Sequence, residues 1–295
     1  MSLISPRTRL GDLLPTALAP MIWGSTYLVS TELLPDFPPL LVALLRALPA
    51  GLLLLLIVRR LPSGPWLGRV LILGALNFSI FWSLLFVAAY RLPGGVAATL
   101  GAIQPLLVIL LASVWLGRRI RAQAVVAALI GLGGVALLVL TPEAALDPLG
   151  LAAALGGAVS MACGTVLTRR WQPPVSLLTL TAWQLTAGGL LLIPPALLFA
   201  PLPSSVGPAA LIGLGWLGLV GGALTYWLWF RGIARLEASV VSSLGFLSPV
   251  TAVLLGWIVL GQSLTPFQLA GVVLVIGGIW LGQRPPARPL PDRAA

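Results

Sequence analysis

From about residue 12 to residue 283 the chain is a succession of nearly uncharged apolar runs, at about 12–31, 38–58, 68–90, 94–115, 122–141, 148–168, 175–198, 207–230, 238–261 and 266–283. Each is close to the roughly 20 residues that a helix needs to cross about 30 Å of hydrocarbon. A chain that enters lipid has to satisfy its backbone hydrogen bonds internally, and runs of this length do so as helices. With 59% of its residues hydrophobic and 8% charged, the chain has too little polar surface to clothe a water-soluble core of this size. Helix-ending residues stand in the breaks, as in Pro35-Asp36-Phe37-Pro38-Pro39, Arg59-Arg60, Pro142-Glu143, Arg169-Arg170 and Pro201-Leu202-Pro203. The expected fold is therefore an all-α polytopic membrane protein with ten transmembrane helices.

The charges set the expected orientation. All 17 basic residues are arginines. With the N-terminus placed in the cytoplasm, Arg7, Arg9, Arg59, Arg60, Arg69, Arg118, Arg119, Arg121, Arg169, Arg170, Arg231, Arg235, Arg284, Arg288 and Arg293 fall inside. Only Arg91 falls outside, and Arg46 is left within a span. This asymmetry predicts cytoplasmic N- and C-termini. The N-terminal stretch lacks a small-residue cleavage site and is read as a retained first span.

The same inventory narrows the chemistry. With no histidine, no lysine and seven acids, the usual metal-ligand sets, catalytic dyads and Schiff-base nucleophiles are hard to assemble, so no metal, no cofactor and no enzyme activity are expected. The lone Cys163 lies in an apolar run, which excludes a disulfide framework and suits a small packing residue. The formal charge of +10 is spread over loops rather than gathered on one helix face, so it reads as a topology signal and no nucleic-acid partner is expected. The expected partners are the lipid bilayer and a small-molecule solute, with the chain acting as a monomer.

An internal repeat links this organisation to mechanism. Displacing the chain by 144 residues places Phe86 on Phe230, Arg91 on Arg235, Gly101 on Gly245, Pro105 on Pro249, Leu116-Gly117 on Leu260-Gly261 and Gly133-Gly134 on Gly277-Gly278. A displacement of 140 aligns Met21 to Ser25 with Met161 to Thr165, and one of 138 aligns Arg46 and Ala50-Gly51 with Gln184 and Gly188-Gly189. Residues 1–142 thus form one five-helix repeat and 143–285 a second, with 286–295 as a cytoplasmic tail. Five is odd, so the second copy starts on the opposite face and the repeats are inverted. Inverted halves offer a physical route to alternating access around a site near the midplane.

Trp23-Gly24-Ser25, the Arg46-x-x-x-Ala50-Gly51 pattern and the doubled block of Gly101-x-x-x-Pro105 followed by Leu116-Gly117 resemble the drug/metabolite transporter superfamily in its duplicated EamA-type branch. The resemblance covers about 12–283. Within that branch the tryptophan-rich chain is similar to the bacterial aromatic-amino-acid exporters. The resemblance implies a secondary transporter of the bacterial inner membrane that exports amino acids, aromatic and other apolar ones favoured, and related metabolites. The alternative is a broad-specificity efflux carrier for drug-like or lipophilic metabolites. One departure bears on energy coupling: the small four-helix multidrug relatives use a membrane-embedded glutamate, whereas Pro20 to Ser30 contains no acid. Facilitated diffusion, or coupling through a less obvious group, is expected instead.

Candidate site residues follow from the cost of polar groups in hydrocarbon, about 2.5 to 3.5 kcal/mol for arginine at a helix centre. Arg46 is placed either to contact a solute carboxylate or to snorkel and bond helix ends. Asn77 and Gln104 face inward, binding solute or joining helices. Trp23, Phe78, Trp82 and Tyr226 are candidates for an aromatic clamp, with Trp82 and Tyr226 at matching positions of the two copies. Met161, Thr165, Ser243 and Phe246 complete the substrate-binding set, although close packing explains small and hydroxyl residues equally well. Pro105 and Pro249 are read as kinks that free the carbonyls of Gly101 and Gly245 and shape or gate the cavity. Trp66, Trp171 and Trp216 are assigned to the interfacial belt.

Overall fold

The computed structural model describes residues 6–91, 100–139, 147–203, 205–261 and 265–283. Helix α1 runs over Pro6–Leu33 and α2 over Pro39–Val58. Helix α3 comprises Pro65–Gly74, a π-helical turn at Ala75–Ser79 and Ile80–Arg91. Helices α4, Gln104–Leu116, and α5, Ala122–Val139, follow. The second half of the chain contributes α6, Pro148–Trp171, α7, Leu177–Phe199, and α8, Pro208–Arg235, with a π-helical turn at Trp216–Leu224. Helix α9 is broken into Ala238–Leu244 and Leu247–Leu260, and α10 covers Pro266–Gln283. Seven of these helices are long and apolar enough to cross a membrane, while Gln104–Leu116 and Ala122–Leu138 are shorter apolar helices. No strand occurs among the described residues. The protein is an all-helical membrane protein.

Local chemistry sets the ends. Prolines open α2, α3, α6, α8 and α10, where the missing N–H costs nothing because the first turn has no partner for it. Asp147 and Ser176 cap α6 and α7 by accepting from the N–H groups of Gly150 and Thr179. Gly117 and Gly261, at φ of 62° and 66°, close α4 and α9 in the left-handed region.

Several sequence boundaries move. Helix α1 starts at Pro6 rather than near residue 12, and α8 continues past residue 230 to Arg235. The run at 94–115 lies partly outside the described residues, and its described helix begins at Gln104, so Pro105 stands in the first turn of a helix rather than inside one. Pro249 likewise stands in the first turn of the second piece of α9, after the break at Gly245-Phe246. The Gly245 carbonyl is not left free there, because it accepts from the Ser248 N–H at 3.1 Å.

Helices α2 and α7 pack along their lengths, as do α5 and α10. Helix α1 lies against α8 and α9, while α6 lies against α3 and α4. Close approach depends on glycines at the α2–α7 crossing. A Cβ on Gly51 would sit 2.4 Å from the Thr186 backbone nitrogen, and one on Gly189 would sit 2.7 Å from the Leu48 Cα. Small residues let backbones meet where lipid offers no hydrophobic drive for association.

Candidate functional site

Five of the sequence candidates converge where α1, α2, α3 and α8 meet. Phe78 and Trp82 project from successive turns of α3, and Tyr226 from α8. The Phe78 and Tyr226 rings have centroids 4.5 Å apart, Trp23 and Tyr226 4.8 Å, Phe78 and Trp82 5.2 Å, and Trp82 and Tyr226 6.1 Å. The tilted and edge-on arrangements are those that aromatic quadrupoles favour. The guanidinium of Arg46, from α2, lies 4.9 Å from the Trp82 ring centroid and is itself buried. No carboxylate pairs with it among the described residues.

What holds Arg46 is a backbone carbonyl exposed by the π-helical turn in α8. In an uninterrupted α-helix the Thr225 N–H would bond to Gly221; here it goes to Val220 and Gly222. The Gly221 carbonyl instead accepts from Arg46 Nη2 at 2.7 Å, from Trp23 Nε1 at 3.2 Å and from the Thr225 hydroxyl at 2.7 Å. Trp23 Nε1 also donates to Thr225 Oγ1 at 2.8 Å. The π turn of α3 behaves alike: the Ile80 N–H bonds to Ala75, and the Leu76 carbonyl accepts from the Ser160 hydroxyl of α6 at 2.8 Å. In both α3 and α8 a carbonyl released by a π turn accepts from a side chain distant in sequence, Ser160 of α6 for Leu76 and Trp23 of α1 for Gly221.

Asn77 belongs to a neighbouring polar station. Its Nδ2 donates to Gln184 Oε1 of α7 at 2.7 Å, and it packs so tightly on α6 that a Cβ on Gly164 would overlap Asn77 Oδ1. Five buried polar atoms of this inner region lack partners: Asn77 Oδ1, Gln184 Nε2, Thr165 Oγ1, Arg46 Nε and Trp229 Nε1. A bound solute or water can satisfy them. Gln104 Nε2 is also buried and unpartnered, on α4. Met161 is buried in the same apolar core as the rings.

Two candidates stand on α9. Phe246 is buried in that same core and packs its ring on α5, where a Cβ at Gly131 would meet it at 2.2 Å. Ser243 donates to the Val240 carbonyl of its own helix at 2.9 Å and lies near Gly282 of α10. Residues absent from the sequence candidates also enter the site: Gln184, Gly221, Thr225 and the buried rings of Trp229 and Phe230, at 5.1 Å from Trp23 and 6.0 Å from Tyr226. Gln184 had a signal, its alignment with Arg46. The Gly221 carbonyl had none, because a π turn leaves no residue-type signature.

Toward the Arg91 end, an apolar crevice of about 330 Å³ opens between α2, α3 and α7, lined by Pro38, Ser83, Val87, Arg91, Pro195 and Phe199 among others. At its rim Arg91 pairs with Asp147 at 3.3 Å. Desolvation pushes the Asp147 carboxyl up, but the Gly150 N–H and the Arg91 guanidinium outweigh it and hold the group below its ordinary value. Toward the opposite end Asp12 of α1 binds Arg231 at 2.7 Å and Arg235 at 3.0 Å, both on α8.

The profile of the EamA-like transporter family matches the chain twice, over residues 10–140 and 148–282. Protein PecM of Dickeya dadantii is 46% identical over 267 residues, covering 90% of each chain. An uncharacterized inner membrane transporter, YedA of Escherichia coli, is 29% identical over 88% of this chain and 87% of its own. A probable amino-acid metabolite efflux pump of Salmonella typhimurium is 26% identical over 90% of this chain and 92% of its own. A protein of known crystal structure superposes with a TM-score of 0.80 at 23% identity, covering 92% of this chain and 98% of the other, and so shares the fold.

Proposed function

Because this chain belongs to the EamA-like transporter family, we propose that it is a secondary transporter that exports amino acids and related metabolites, with aromatic and other apolar side chains favoured. The observation that carries this reading is the pairing of a buried guanidinium, without a carboxylate partner among the described residues, with a cage of aromatic rings assembled from both halves of the chain. Arg46 offers charge-assisted hydrogen bonds to a carboxylate, and Trp23, Phe78, Trp82 and Tyr226 offer ring faces to the side chain. The relative named as a probable amino-acid metabolite efflux pump supports that solute class.

Alternating access between two inverted five-helix halves is the proposed mechanism. Its support is the exchange pattern of the contacts. Helices α2 and α7, and α5 and α10, pair with their own counterparts; the α1–α8 and α1–α9 contacts are answered by α6–α3 and α6–α4. The family profile matching twice agrees with duplication. The rings now close on one another, with Tyr226 and Phe78 in contact, so solute entry requires the halves to part along α3 and α8. The π turns are suited to that movement, since each holds its helix through a side-chain bond that can be broken and remade. The arginine-rich end is assigned to the cytoplasm of a bacterial inner membrane.

Transport is uncoupled from protons in this reading. Asp12, Asp147 and Glu237 sit at helix ends and pair with arginines, so none of them is a free carboxyl at mid-depth. Uptake of radiolabelled amino acids into proteoliposomes of the purified chain tests the function. Saturable flux of aromatic or aliphatic amino acids is expected, and flux of hydrophobic cations with none of any amino acid would replace this solute class with broad efflux.

A further inference from the structure

A second cavity, of about 280 Å³, lies where α4 and α6 end, lined by Leu116, Gly117, Arg118, Arg169, Arg170 and Gln172. We propose that it binds the phosphate of an anionic phospholipid, whose acyl chains run along the lipid-facing side of α4. The site is separate from the ring cluster and stands whatever the solute is; only its assignment to the inner leaflet rests on the orientation proposed above.

Charge carries the first part of the argument. Three guanidinium groups line the cavity and no acid does. Glu237 lies nearby, but it pairs with Arg121. Arg169 is held in place by donating to the carbonyls of Ile233, at 3.3 Å, and Leu236, at the end of α8. Arg118 and Arg170 have no ion-pair partner among the described residues. The carbonyl ends of α4, α6 and α8 converge here and oppose the positive field, at about half a charge each. Together they offset about half of the three full charges, so the cavity keeps a net attraction for an anion. Guanidinium forks match phosphate oxygens in geometry as well as charge.

The surroundings select a lipid as the source. Leu110 and Val114, one turn apart on α4, are 53% and 70% exposed and lead along the helix to Gly117 and Arg118. An acyl chain on that face places its headgroup at the cavity. Basic pockets between spanning helices at a membrane surface are recurrent headgroup sites.

The test is native mass spectrometry and thermal unfolding of the full-length protein in detergent, titrated separately with phosphatidylglycerol, phosphatidylcholine and inorganic phosphate. The wild-type protein is expected to retain phosphatidylglycerol over phosphatidylcholine and to unfold at higher temperature with it. Arg118→Gln/Arg170→Gln weakens that binding by about tenfold or more, while Arg59→Gln/Arg60→Gln, which removes equal charge elsewhere, leaves it unchanged. Equal binding by the first variant, or equal loss in the second, would overturn the site. Inorganic phosphate that binds the wild type saturably and displaces phosphatidylglycerol would overturn the lipid as its source.

Discussion

Arg46 and Gly221, 175 positions apart in the chain, meet through a 2.7 Å hydrogen bond from Nη2 to the backbone carbonyl. The bond joins α2 of the first half to the π turn of the second, and it is one of three that converge on that oxygen. On the proposed transport reading, a solute carboxylate competing for the guanidinium would loosen this joint, so that binding and movement would share one group.

Replacing Arg46 with Gln is therefore expected to lower transport of carboxylate-bearing solutes by about tenfold or more, as hydrogen bonds to charged groups are worth about 1.5 to 3 kcal/mol. Arg46→Lys will not restore it, because the ammonium cannot both lie flat over Trp82 and reach Gly221. Initial rates in proteoliposomes measure this; full activity in Arg46→Gln would reduce Arg46 to a structural role.

Trp82→Ala and Tyr226→Ala are each expected to cut flux while membrane abundance stays normal, with Trp82→Phe retaining part of it. The rings meet edge to face at 6.1 Å, so either loss opens the same cage. Unchanged flux in both alanine variants would remove the aromatic clamp.

Solute movement should persist when the pH gradient across the vesicle is collapsed, because the carboxyls of Asp12, Asp147 and Glu237 are engaged at helix ends. Strict dependence of uptake on a proton gradient would show that some other group exchanges protons.

Gly51→Ala is expected to destabilise the protein by about 1 to 3 kcal/mol, the usual cost of overpacking. Its Cβ would intrude on the α7 backbone, which cannot yield like a flexible side chain. Thermal unfolding in detergent reads the effect, and Gly68→Ala, which faces open space, is the control. An unshifted transition in Gly51→Ala would mean that α2 and α7 separate at little cost.

Much of the candidate site was legible because polar and aromatic residues are conspicuous against an apolar background. Trp23, Arg46, Phe78, Trp82 and Tyr226 were each identifiable one by one, whereas the edge-to-face meeting of Trp82 with Tyr226 came from the structure. Asn77 was visible as an inward amide, and the alignment of Gln184 with Arg46 marked its partner's helix. The spacing of Ser243 and Phe246 described a face of α9 without saying which neighbours that face meets: Phe246 joins the apolar core of the rings and also packs on α5, while Ser243 bonds within its own helix.

The amino-acid sequence alone determined that this protein is a helical membrane protein and belongs to the EamA-like transporter family, since hydropathy and motif matching depend only on order along the chain. Tertiary structure decided which inward faces touch. In a bilayer the lipid-facing side of a helix is as apolar as the packed side, so periodicity carries little information about rotation. Glycine contacts set that rotation, as Gly164 does against Asn77 and Gly131 against Phe246. Only the folded backbone, with its π turn at Trp216–Leu224, exposed the carbonyl around which Arg46 and Trp23 assemble.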